Sequence, residues 1–266
     1  MTPAQAAPKP SSDPTGAEPA TGSLPHQRTL DERPVDLASL DPGEHARIAA
    51  GTSTDVFAVD DATLLRRYRD GRDTAGEARV LRYVAGLGFP APAVIDASGP
   101  DLLLERLHGP TLLQALAAEE VSIPDGARVL ADLHTRLHAL PAPEGSAPGE
   151  VLVHLDIHPA NVILTEANGP YLIDWSTARP GRAALDVALT AIIVAEVAVD
   201  AGGTYSQAAR AMLVAFLAAV DEDVVGSLDE AVQQRLVDPA LVSGERELVV
   251  PAAELVRHLV ELARHP

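Results

Sequence analysis

Five polar side chains fall within a short stretch of this 266-residue chain: His154, Asp156, His158 and Asn161, and then Asp174. They stand in Val153-His-Leu-Asp-Ile-His-Pro-Ala-Asn-Val-Ile-Leu164 and in Tyr171-Leu-Ile-Asp-Trp175. Amide and carboxylate oxygens gathered at one point suit a hard cation such as Mg²⁺. That ion takes a few protein oxygens and fills its remaining positions with water and phosphate oxygens.

For those oxygens to meet, the chain between them must double back, and the sequence carries the signal for it. Two apolar runs, residues 162–164 and 171–173, flank the turn residues Asn168-Gly-Pro170, the pattern of a β-hairpin. Antiparallel pairing brings the outer ends of a hairpin together. Asn161 and Asp174 are therefore expected side by side, with Asp156 in the loop just upstream.

Before this stretch, residues 46–51, 55–59, 63–68, 94–97 and 101–105 read as short strands. Residues 73–86 read as a helix, with Ala75, Ala78, Leu81 and Val84 at helical spacing. Residues 111–118 and 126–140 read as amphipathic helices. His134 and His138 on the second share a face at a spacing that zinc can use. No glutamate follows in the His-Glu-x-x-His order, and the flanking leucines favour packing. Past Trp175 the chain passes almost directly into helices expected over residues 186–199, 205–219, 227–236 and 251–264, and a cap on the first of these is a sufficient role for Asp186. The fold class expected is α+β, a small β-rich lobe followed by a larger helical one.

Composition narrows the classes further. The chain is 47% hydrophobic and 22% charged, ordinary values for a globular protein. No apolar run reaches the roughly 18 residues of a spanning helix, so no membrane role is expected. Cysteine is absent, which excludes disulfides, thiolate metal sites and a cysteine nucleophile. The N-terminus lacks the basic-then-apolar pattern of a secretion signal, and a cytoplasmic home is expected. A net charge of −18 argues against nucleic acid, whose phosphates require basic clusters. An acidic chain is first of all a soluble one; a cationic substrate is the second reading. Residues 1–33, rich in Pro, Ala, Ser and Thr, are expected to be disordered. They contain Lys9, the only lysine of the chain.

The order His-x-Asp, then Asn five residues after the Asp, then a further Asp, is that of protein-kinase catalytic and metal-binding loops. The wording His-x-Asp-x-His-Pro-x-Asn followed by Ile-Asp-Trp resembles the aminoglycoside phosphotransferase family of small-molecule kinases. Leu155 and Ala160 stand where that family usually has glycine, a change that spares the chemistry and bears on the backbone of the loop. The resemblance implies a bilobal protein-kinase-like fold, with a nucleotide-binding lobe and hinge over residues 34–107 and a catalytic and acceptor-binding lobe over residues 108–266. Asp156 would be the catalytic base, Asn161 and Asp174 the Mg²⁺ ligands, and His154, His158 and Asp186 supports of the catalytic loop. ATP, or alternatively GTP, would be the phosphate donor. Gly51, Thr52 and Ser53 would cover its phosphates, and Glu105 and Leu107 would flank its adenine edge.

The strand-3 lysine of kinases has no counterpart in a lobe without lysine, so its role falls to arginine. Side-chain alternation selects Arg66 over Arg67, and the resemblance implies Glu77 as its partner. No long activation segment ending in Ala-Pro-Glu follows Trp175, which points to a small hydroxylated acceptor rather than a protein. Amine-binding acids and merely solvated helix faces explain the acidic C-terminal helices equally well. The rival reading is a pseudokinase acting as a scaffold or regulatory module. Acceptor identity and oligomeric state are left open.

Overall fold

The computed structural model describes residues 37, 40, 41, 43, 45–50, 53–200, 202–239, 241 and 243–264. The tail expected over residues 1–33 lies outside them, as do Gly51 and Thr52 of the expected phosphate loop. Five strands, β1 (Ala46–Ala50), β2 (Thr54–Ala58), β3 (Thr63–Tyr68), β4 (Val94–Ser98) and β5 (Asp101–Glu105), form an antiparallel sheet in the order β1-β2-β3-β5-β4. Helix α1 (Ala75–Gly86) joins β3 to β4.

The two-residue period of the strands divides the side chains between the sheet's faces. Leu65 and Leu103 turn one way and pack with Leu37. Leu102 and Leu104 turn the other way, into the main core with Ala78, Leu81 and Val84 of α1. Arg66 sits opposite Leu102 in the β3–β5 register and is buried with it.

The rest is mostly helical: α2 (Leu112–Ala117), α3 (Ile123–His138), α4 (Ala183–Val199), α5 (Thr204–Leu217), α6 (Val224–Leu236), α7 (Ser243–Arg246) and α8 (Val249–Arg264). Between α3 and α4 come β6 (Val151–Val153), a 3-10 turn (Pro159–Asn161), the hairpin strands β7 (Val162–Thr165) and β8 (Gly169–Leu172), and β9 (Arg179–Gly181). The hairpin forms with Val162 paired to Leu172, but its turn spans residues 166–168, earlier than the expected Asn168-Gly-Pro170, because Gly169 and Pro170 pair with Thr165 and Leu164 in β8.

Two helices begin earlier than their apolar pattern indicates. Ser122 caps α3 by accepting from the Asp125 N–H, so the helix starts upstream of Gly126. Helix α4 begins at Ala183, which puts Asp186 inside its first turn and not at its cap. Pairing of β6 with β9 was not foreseen, because three-residue strands leave no periodic trace. Helix α4 is apolar and buried on most of its surface, and among the described residues no helix is long and apolar enough to cross a membrane.

One glycine is required where the chain passes from sheet to helices. Gly109 has φ +148°, and a Cβ there would run into the carbonyl oxygen of Leu164. This close approach lets Pro110 accept from Leu164 N at 2.9 Å and ties the connection to the hairpin.

Candidate active site

The loop from His154 to Asn161 is built by its own hydrogen bonds. Asn161 donates from Nδ2 to the Asp156 carbonyl at 3.0 Å and to Asp156 Oδ2 at 2.9 Å. Its amide oxygen is thus the atom left to offer a cation. Ile173 N donates to Asn161 O at 2.9 Å, bringing the far end of the hairpin, and Asp174 with it, to Asn161. His158 accepts from Ala160 N through Nδ1 at 3.3 Å. Its Nε2 therefore carries the proton, and it lies 3.6 Å from Asp156 Oδ1. The Asp156 side chain is 31% exposed and can be reached by a substrate.

Asp186 is the anchor of the loop. It is fully buried, and its two oxygens accept from His154 N at 3.1 Å and Leu155 N at 2.6 Å. His138 Nε2 lies 2.9 Å from Oδ2, and His134 Nδ1 lies 3.5 Å from the same atom. Burial by itself would raise this carboxyl, but the bonds and charges of His134 and His138 outweigh it and hold it far below the ordinary carboxylate range. The histidine pair that zinc spacing brought to notice is thus a pair of partners for Asp186. His134 also meets Thr190 Oγ at 3.0 Å, and that hydroxyl donates to Ile157 O at 2.7 Å.

Backbone strain marks the same loop. Leu155 has φ +69° and Asp174 has φ +62°, the left-handed region that side chains other than Asn and Asp rarely enter. Leu155 keeps the conformation that glycine would take freely, held there by Asp186 and by burial of its side chain. Ala160 lies in the 3-10 turn and meets no such demand.

His154 is buried, and its Nε2 meets the Ile173 carbonyl at 3.1 Å. A carbonyl only accepts, so Nε2 bears the hydrogen. Burial lowers its basicity despite the nearby carboxylates of Asp186, Asp156 and Asp174. Its ring meets Trp175 edge-on at 4.8 Å, and Thr177 Oγ donates to its carbonyl at 2.7 Å.

The sheet contributes one cation. Arg66 donates to Glu77 Oε1 at 2.7 Å, to the Tyr68 hydroxyl at 2.8 Å and to Asp174 Oδ1 at 2.7 Å. Tyr68 in turn donates to Glu77 Oε2 at 2.6 Å. Arg67, on the opposite face, pairs with Asp101 instead, with Nη2 to Oδ2 at 2.6 Å. Burial would lower the Arg66 pKa, but Asp174 and Glu77 raise it, so the guanidinium stays charged. Burial raises Glu77 in spite of Arg66 and Tyr68. For Asp174 the balance runs the other way: burial raises it, and Arg66, Ser176 and His154 bring it below its ordinary value.

Among the other expected nucleotide contacts, Ser53 follows the undescribed Gly51 and Thr52, and its carbonyl accepts from Arg69 N at 3.0 Å. The N–H of Glu105 is committed to Ala93 O at 2.9 Å, and its carboxylate accepts from Ala93 N at 3.2 Å. Leu107 follows β5, half-buried. Tyr68, His134, His138, Thr177 and Thr190 were missed as supports of the site. Only His138 and His134 left a trace in the sequence, two histidines one helical turn apart in a leucine-rich helix.

A five-stranded antiparallel sheet, a mostly helical remainder and this loop are the make-up of a small-molecule kinase of protein-kinase-like fold. The model of the phosphotransferase enzyme family (APH) matches residues 44–150 and 143–219, and the chain belongs to that family. No curated protein matches the sequence. Among solved structures, it is similar to a thermostable mutant of aminoglycoside phosphotransferase APH(4)-Ia in a ternary complex with AMP-PNP and hygromycin B. The two are 16% identical, with 82% of this chain and 93% of that one covered and a TM-score of 0.56. It is also similar to the gentamicin complex of APH(2")-IIa, at 13% identity, with 81% and 91% covered and a TM-score of 0.52. ADP-bound APH(2'')-Ib follows at 14%, with 80% and 92% covered and a TM-score of 0.51. At these identities the likeness is one of fold.

Proposed function

We propose that this protein transfers the γ-phosphoryl group of ATP to a hydroxyl of a small molecule in the cytoplasm, with residues 34–107 holding the nucleotide and residues 108–266 the acceptor. The observation that carries the reading is the set of contacts around Asp156, Asn161 and Asp174: one carboxylate fixed by the asparagine amide, another joined to the sheet's buried arginine.

In this reading the acceptor hydroxyl loses its proton to Asp156. The acceptor oxygen forms a bond to the γ-phosphorus, and the bond from that phosphorus to the bridging oxygen of ATP breaks. Asn161 fixes the orientation of the Asp156 carboxylate, and His158 stands beside it. Mg²⁺ fits the donor set, because the Asn161 amide oxygen and the Asp174 carboxylate are the hard oxygens it prefers. When bound it would offset charge on the phosphates. Arg66, held by Glu77 and Tyr68, supplies a second positive charge to the nucleotide. Such positioning and electrostatics are most of what phosphoryl transfer asks of a protein.

The test is Asp156→Asn. Turnover should fall by at least about 100-fold, the range of general-base effects, with Mg·ATP affinity unchanged within a few-fold. Turnover like that of the wild type would remove Asp156 from its role.

The short contact from Arg66 to Asp174 Oδ1, 2.7 Å, favours one alternative, a scaffold in which an arginine occupies the place of the ion. Absence of Mg²⁺-dependent ATP binding would select it.

A further inference from the structure

A second feature adjoins the catalytic loop. Helices α2, α4 and α5 and the loop enclose an open cavity of about 220 Å³. His158, Pro159 and Ala160 form one wall, so the cavity begins at the residue whose Nε2 is 3.6 Å from Asp156. Among the described residues lining it, all but His158 and Tyr205 are apolar, and none carries a carboxylate. Leu113, Val197 and Tyr205, at 47%, 48% and 73% exposure, present apolar surface to solvent around its mouth. Exposed apolar surface collected around a concavity is the character of a ligand site.

Of the acids in the C-terminal region that could have received an amine, two are engaged elsewhere and a third lies near a histidine. Glu196 accepts from Arg235 Nε at 3.0 Å and Nη2 at 2.9 Å. Asp223 caps α6 through Gly226 N at 3.1 Å. Glu222 lies 3.8 Å from His138 Nδ1. The larger cavity of about 360 Å³, walled by Asp221, Glu222 and Asp223, has no residue of the catalytic loop in its lining.

We infer that the acceptor is an alcohol with an apolar body, seated in the cavity between α2, α4 and α5, and not a polycationic amino sugar. This rests on the phosphotransferase reading. His158 marks the boundary between the apolar body of the acceptor and the hydroxyl that meets Asp156. The volume suits a body of modest size, below that of a typical drug-sized ligand.

The experiment measures binding of 1-octanol and of glucosamine to the full chain by calorimetry in the presence of Mg·ADP. Wild type, Ala209→Phe, which fills the cavity from α5, and Val197→Asp, at an exposed position on its rim, are compared. Saturable octanol binding is expected, weakened at least tenfold by either substitution, with Mg·ADP affinity held within twofold and no glucosamine binding. Octanol binding unaffected by both substitutions would overturn the proposal, as would glucosamine binding in place of octanol, while intact Mg·ADP binding leaves the phosphotransferase reading standing. A change from dimer to monomer in sedimentation on substitution would assign the face to a second copy of the chain and overturn it too. Failure of the folded wild type to bind Mg·ADP would remove both readings together.

Discussion

At the scale of single residues, the site rests on side chains with more than one partner. Arg66 serves Glu77, Tyr68 and Asp174 at once, whereas Arg67 serves Asp101 on the other face. Arg66→Ala should therefore weaken ATP binding more than Arg67→Ala does. It should also cost about 3–5 kcal/mol of stability, because Glu77 is left buried without its cation. Calorimetry and chemical denaturation of the two variants check this, and the reverse order would move the role to Arg67. Leu155 presents a competition of terms. Its left-handed backbone costs about 1–2 kcal/mol. Its buried side chain returns about 1.5–3 kcal/mol, and glycine would add about 0.5–1 kcal/mol of entropy loss on folding. Leu155→Gly should thus lower stability by about 1.5 kcal/mol, the middle of these ranges, even though glycine is usual there in the family. A higher midpoint of thermal unfolding in that variant would contradict the balance.

At the scale of elements, the decisive contact joins α4 to the loop after β6 through Asp186. Its carboxyl is depressed in the folded protein, so the unfolded chain takes up the proton first on acidification. Its contribution is complete above the ordinary carboxylate pKa of about 4 and is lost as pH falls below that value. Asp186→Asn should cost about 3 kcal/mol at pH 7 and show a shallower further loss between pH 5 and pH 3 than the wild type. Parallel acid limbs in thermal unfolding would refute the assignment.

These elements also show what the sequence made legible. The hairpin could be read because its signals are local, two apolar runs separated by turn residues, although the turn itself spans residues 166–168 and Gly169 and Pro170 already pair in β8; the pairing brings Asp174 toward Asn161. The choice of Arg66 came from strand alternation, again a local rule. The partners of Asp186 could not be read, since His138 and Asp186 lie on different helices and no spacing rule connects them. The Tyr68 hydroxyl was hidden for another reason, because an aromatic residue at the end of an apolar strand reads as packing. The first turn of α4 was missed because residues 183–185 carry no capping signal, and Arg182 makes no side-chain cap.

At the scale of the molecule, a β sheet bearing Arg66 and a helical body bearing the loop are connected through Gly109, which packs against the hairpin. Gly109→Ala forces a Cβ against the Leu164 carbonyl and should destabilise the protein by more than about 2 kcal/mol; denaturation midpoints within error of the wild type would contradict that. The central claim is that the two parts share one nucleotide, with Asp174 as the hinge between sheet cation and bound ion. Calorimetric titration with ATP, with and without Mg²⁺, in wild type and Asp174→Ala tests it most directly. The account predicts binding that requires Mg²⁺ and is lost in Asp174→Ala. Binding that is indifferent to both, or none at millimolar ATP in a folded protein, would contradict it.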